Sequence, residues 1–319
     1  MTKSRILKLS VSLLLVLTVA PLVTDANETT ASKDKKKIVL VAGPRSHSYG
    51  SHEHNAGCLL LADALRQSDL SVETVVYQNG WPKHTDALDG ADTIIVFSDG
   101  AGRHPAIPHL DQIDKLAKTG IGIGMIHFAV EVPKGQAGDH FLDWIGGYFE
   151  LDWSVNPHWT AKFAKFPEHP VTRGLTPFEI DDEWYYHMRF REGMQGVTPV
   201  LSAVASPSTV RRDGGRSGNP AVRKSAEAGQ PQHLCWVTER ADGGRGFGFT
   251  GGHWHWNWAN DNFRKVVLNA IVWSAGMEVP SGGVSSKTPS IAELKTNLDE
   301  AEPANFNDDQ IRKLLDQWQ

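Results

Sequence analysis

Two cysteines in 319 residues are too few for a disulfide framework, and both, Cys58 and Cys235, sit in apolar stretches, which reads as buried free thiols. Basic residues hold no majority either: 32 Lys and Arg stand against 37 Asp and Glu, a formal charge of −5. That removes nucleic acid as a default partner, because phosphate contacts need clustered cationic side chains. After residue 23 no apolar run is long enough to span a bilayer. No Gly-x-Ser-x-Gly occurs, so a serine nucleophile elbow is excluded. What the chain has in excess is 14 histidines and 11 tryptophans.

Lys3, Arg5 and Lys8 precede an apolar run from Leu9 to Val23, followed by Thr24-Asp25-Ala26. This is the order of an export signal cleaved after residue 26, and it predicts an exported, periplasmic or extracellular protein with no membrane span after cleavage. The continuous apolar run Ile38-Val39-Leu40-Val41-Ala42 predicts a central parallel strand. A helix is expected over 53–67, strands over 72–77, 92–98 and 121–128, and a helix over 110–118. Alternation at 158–163 and 178–180 predicts added antiparallel strands. Residues 205–230 read as a long surface loop. Two late strands (232–238, 246–250) and a helix (260–275) complete a domain over 36–276. Residues 277–319 read as a linker, flexible over 280–289, and a tail helix from 308 to 318. The fold class is therefore α/β, an open, mostly parallel, flavodoxin-like sheet flanked by helices, with antiparallel additions.

In such sheets ligands bind beyond the carboxyl ends of the strands. Those exits carry Arg45, His47, His52, Glu53 and His54; Asp99, Arg103 and His104; His127 and Glu131; and His253 and His255. Two chemistries can use them. An extended His253-x-His255 with Glu183 could hold a divalent metal, and a carboxylate facing one or two imidazoles could move protons. The late Gly246-Phe247-Gly248-Phe249-Thr250-Gly251 spells a dinucleotide fingerprint. It lies inside a strand rather than after the first one, so no nucleotide cofactor is expected. Trp153, Trp159, Trp184, Trp254, Trp256 and Trp258 flank the same polar clusters, an arrangement suited to the faces and hydroxyls of a small-molecule carbohydrate.

Several segments in this order resemble the ThuA-like (trehalose utilisation) family: the His-rich exit of the first strand, Gly122-Ile123-Gly124-Met125-Ile126-His127, His169 to Leu175, Asp182-Glu183-Trp184-Tyr185-Tyr186, and Gly251-Gly252-His253 leading to Asn269-Ala270-Ile271-Val272-Trp273. The resemblance implies a class I glutamine amidotransferase-like fold and a part in disaccharide catabolism through keto-sugars. Where an amidotransferase has its elbow cysteine this chain has His127, so glutamine hydrolysis is not expected. The reading that follows makes Glu183 the main base, with His127 and His253 as acid–base or oxyanion partners. Arg45, His47, His52 and Asp99 would bind substrate, and Tyr185 and Trp256 would form walls. A noncatalytic carbohydrate-binding or scaffold protein and a metal-dependent hydrolase are the alternatives. The oligomeric state is not readable from the sequence.

Overall fold

In the computed structural model, which describes residue 1 and residues 35–84 and 86–318, the first apolar run behaves as its sequence dictates. Apart from Met1, the expected export signal lies outside the described residues. Strand β1 (Lys36–Ala42) is buried from Ile38 onward. Ile38, Leu40 and Ala42 join the core on one face of the sheet, whereas Val39 and Val41 join a second core on the other. A strand with apolar side chains on both faces must be covered on both.

The elements that provide the cover follow in order: α1 (His54–Arg66), β2 (Val72–Tyr77), β3 (Thr93–Phe97), α2 (Leu110–Ala117), β4 (Gly122–Ile126), α3 (Gln136–Ile145), β5 (Gly147–Tyr148), β6 (His158–Phe163), β7 (Phe178–Glu183), β8 (Arg189–Phe190), β9 (Val197–Val204), α4 (Pro220–Glu227), β10 (Pro231–Glu239), β11 (Arg245–Phe249), α5 (Asp261–Ser274), α6 (Ile291–Leu294) and α7 (Asp309–Trp318). The main sheet has the order β2-β1-β3-β4-β11-β10-β9. Its first five strands are parallel, and β10 and β9 extend it antiparallel. The open, mostly parallel α/β sheet is thus present. Residues of α1 and α5 pack in one core, and residues of α2 and α3 in the other. β6 and β7 pair antiparallel outside the sheet and bring Glu183 opposite His158. Both cysteines are free and buried. Among the described residues no helix is long and apolar enough to cross a membrane.

Two segments differ from expectation. The stretch 205–230 is not all loop, because Asn219 caps α4 through Ala221 and Val222 N–H, with Pro220 in its first turn. The stretch 280–289 is not a free linker. Val279 and Val284 are fully buried, and Val284 N–H donates to Asn269 Oδ1 at 2.8 Å. Beyond it Leu294 and Ile311 are buried in the same core as α5.

Candidate functional site

The carboxyl edge of the parallel strands gathers one side chain from each of several exits. His127 is the first residue after β4 and turns the chain sharply with φ 56°; His52, in the loop after β1, has φ 51°. Left-handed backbone costs a non-glycine residue free energy, and two such residues side by side are a mark of a site whose geometry the surroundings enforce. His253 follows β11, and Glu183 ends β7. The loop carrying His253 is fixed by the buried Asp182. Its carboxylate accepts from Gly252 N–H (2.8 Å), His253 N–H (3.0 Å) and Asn257 Nδ2 (3.0 Å). Gly252 has φ 117°, which a side chain would resist.

These elements place His52, His127, His253 and Glu183 around one point. His52 Nε2 lies 3.0 Å from His253 Nδ1 and 3.1 Å from His127 Nε2. Glu183 Oε2 lies 3.2 Å from His253 Nδ1, 3.6 Å from His127 Nε2 and 3.9 Å from His52 Nε2. Tyr185 donates its hydroxyl to the same oxygen at 3.1 Å, and Asn156 Nδ2 holds Oε1 at 2.9 Å. On the far side His52 Nδ1 faces Asp99 Oδ1 at 3.3 Å, and His127 Nδ1 donates to the Thr250 carbonyl at 2.9 Å. His47 stacks on His52 with ring centroids 3.6 Å apart and forms the outer edge of the cluster.

The electrostatics favour one positive charge at this point. Burial would raise the Glu183 carboxyl, but the hydrogen bond from His253 and the nearby His52 outweigh it and hold the group well below the usual carboxylate range. Burial likewise opposes ionisation of Asp99, yet His52, His54 and Ser46 lower its pKa to about 2. Burial disfavours a charged His52, and its hydrogen bond to Asp99 and the nearby Glu183 carboxylate reverse this, so its pKa is raised. Burial and the neighbouring His52 push His127 down, and push His47 down to about 4. Glu183 and Asp99 thus flank His52 and favour its charged form, while His127 and His47 are pushed toward the neutral form.

Of the residues expected at the site, His47, His52, Asp99, His127, Glu183, Tyr185 and His253 are brought together. Arg45, His255 and Trp256 are not. Arg45 is exposed and pairs with Glu300 in the tail. His255 starts a 3-10 helix over His255–Ala259, so the same-side rule for extended residues two apart fails, and its ring is buried away from His253. Trp256 lies on that helix against Tyr49 and Phe306 rather than on the pocket. The aromatic wall is Trp254, whose ring is 4.5 Å from His253 and 5.6 Å from His158.

Sequence reading missed Asn156 and His158, which flank Pro157 just before β6, and Arg211 and Arg216 in the 205–219 loop. With Ser217 and Glu183 these line a cleft that meets the cluster at Glu183. Arg216 reaches from that loop to the buried Glu131, with contacts of 2.8 and 2.6 Å. Polar residues beside a proline and an arginine-rich loop were visible signals. What they faced was not.

A family model described as ThuA, trehalose utilisation, matches residues 39–274. Among solved structures, a ThuA-like protein from Bacteroides uniformis is similar with a TM-score of 0.54 and 15% identity, over 78% of this chain and 94% of that one. A ThuA-like protein from Parabacteroides merdae gives a TM-score of 0.53 and 13% identity, over 80% and 98%. At such identities the likeness concerns the fold. No curated protein sequence matches the chain.

Proposed function

The chain belongs to the ThuA family, described by trehalose utilisation, and from that premise we propose that it is an exported enzyme of carbohydrate breakdown that activates an oxygen of a sugar or keto-glycoside at the His52–His127–His253–Glu183 centre. The observation that carries the reading is the convergence of three imidazoles and a phenol on one ionised carboxylate, Glu183, which also lines a polar cleft. The cleft offers Asn156, His158 and Arg211 to hydroxyls and the Trp254 ring beside them to a sugar face.

In this reading Glu183 is not the proton acceptor first expected of it. A carboxylate held so far below its ordinary range is a weak base, and its service is to anchor positive charge. His52, oriented by Asp99 on one nitrogen, presents that charge through the other to a glycosidic or carbonyl oxygen. Tyr185, kept protonated by burial and by Glu183, is the adjacent O–H donor.

The test is turnover of a trehalose-type disaccharide and of its keto derivative. His52→Ala and Tyr185→Phe, shown to be folded by circular dichroism, are expected to lower kcat about 100-fold or more, the range of a lost acid–base group. Parent-like rates in both variants overturn the assignment of roles. Sugar binding by the parent without any turnover makes the protein a carbohydrate receptor instead.

A further inference from the structure

With its rings neutral, the centre concentrates lone pairs that either a proton on His52 or a metal cation satisfies. His127 gives its Nδ1 proton to the Thr250 carbonyl, an acceptor only, so Nε2 of the neutral ring carries a lone pair. His52 Nδ1 faces the Asp99 carboxylate, also an acceptor only, so in the neutral ring that metal binding requires, Nε2 carries a lone pair as well. These two lone-pair atoms stand 3.1 Å apart. His253 Nδ1 and Glu183 Oε2 close the same group, all four donor atoms lying within 4.8 Å of one another. Four electron-pair donors aimed at one point are stabilised by a cation.

We propose that His52 Nε2, His127 Nε2, His253 Nδ1 and Glu183 Oε2 bind a single divalent transition metal of the zinc type. The spacings fit. Tetrahedral donors at about 2.0–2.1 Å from zinc stand about 3.3 Å from each other, and five of the six donor pairs stand 3.0, 3.1, 3.2, 3.6 and 3.9 Å apart. The donor set fits too, since three imidazoles and one carboxylate suit zinc, cobalt, iron or nickel, whereas calcium and magnesium take mainly oxygen. The outer contacts are those of a metal centre: Thr250 and Asp99 take the remote N–H of His127 and His52, and Asn156 and Tyr185 orient Glu183. The second cluster of ligating groups, His47, His52 and Asp99, shares His52 and so belongs to this outer sphere. A sugar oxygen arriving from the cleft would add to the coordination, and the cation would take over the positive charge that His52 otherwise carries.

The inference rests on the reading of this pocket as the reacting centre, and its test separates the two. Chelator-stripped protein is titrated with Zn²⁺ alone and with Co²⁺ alone, following stoichiometry, visible absorption and melting temperature. One equivalent per chain is expected, with a Co²⁺ band of nitrogen–oxygen coordination and a melting temperature that rises with metal. Asp99→Asn should weaken binding about 10–100-fold as a second-sphere change, and His253→Ala and Glu183→Gln by more. His140→Gln, remote from the centre, should leave one equivalent bound. Should the ligand variants fail to fold, the unmutated protein decides: no stoichiometric Zn²⁺ or Co²⁺ overturns the proposal. A Co²⁺ spectrum unchanged in folded Glu183→Gln overturns it equally. Metal without sugar turnover keeps this inference and removes the functional reading. Sugar turnover by a protein that takes up no stoichiometric Zn²⁺ or Co²⁺ does the reverse.

Discussion

At the scale of single residues, the two tryptophans flanking His255 have opposite fates. Trp254 is partly open, beside His158 and His253, while Trp256 is 7% exposed beneath Tyr49 and Phe306. Trp254→Ala should therefore raise KM for a sugar about 2- to 10-fold, the loss of one aromatic contact, at little cost in stability. Trp256→Ala should leave KM unchanged and lower stability by roughly 3–5 kcal/mol in urea unfolding, as a large core truncation does. A rise in KM confined to Trp256→Ala would restore that residue as the wall. Composition showed that aromatic residues were abundant near the polar clusters, and spacing could not say which of them faced ligand. The single backbone change at Trp254, from extended chain to 3-10 helix, decides it.

At the scale of elements, what was legible is what is local. β1, β2 and α5 follow from apolar runs and helical spacing, and their ends fall within a residue or two of the pattern. The strand exits were legible for the same reason, and with them His52, His127 and His253. α4 lies in a stretch whose Pro, Ser, Gly and Arg content without periodicity reads as loop, yet Asn219-Pro220 is a helix start. The strap it belongs to was invisible, since nothing near Arg216 in sequence reveals Glu131. That carboxylate is 1% exposed and is pushed up by burial, an effect Arg216 offsets only in part. Arg216→Ala would leave it buried and unpaired. Because the Arg216 side chain is 36% exposed, the cost should fall below the 3–5 kcal/mol of a fully buried pair, at about 2 kcal/mol. Trypsin should then cut faster after Arg211 and Arg212, and KM for a sugar should rise. Unchanged cleavage and KM would mean that the strap is held without this pair.

At the scale of the whole molecule, the loop that delivers His47 and His52 is tied down from the other end of the chain. Glu53 accepts Gly50 N–H at 2.8 Å with one oxygen and Asp299 N–H at 2.7 Å with the other. Asn55 donates to Asp299 at 2.8 Å, Arg45 pairs with Glu300, and Tyr49 donates to Glu302 at 3.2 Å. No periodicity links residues 45–55 with 299–302, so sequence alone left Arg45 to the pocket and the tail unplaced. The clamp predicts a division of labour between two buried residues. Ile311→Asp charges the buried face of α7 and should free that helix, exposing residues 303–319 to proteolysis, while kcat stays near the parent value because the contacts at 299–302 lie upstream. Glu53→Ala strips both backbone donors of their partner and loosens the loop around His52, which needs its strained φ to face the centre. Here kcat should fall about tenfold or more, with α7 still protected, since a small misplacement of a reacting group is costly in rate. Equal kcat in the two variants would show that the tail covers the core without positioning the site.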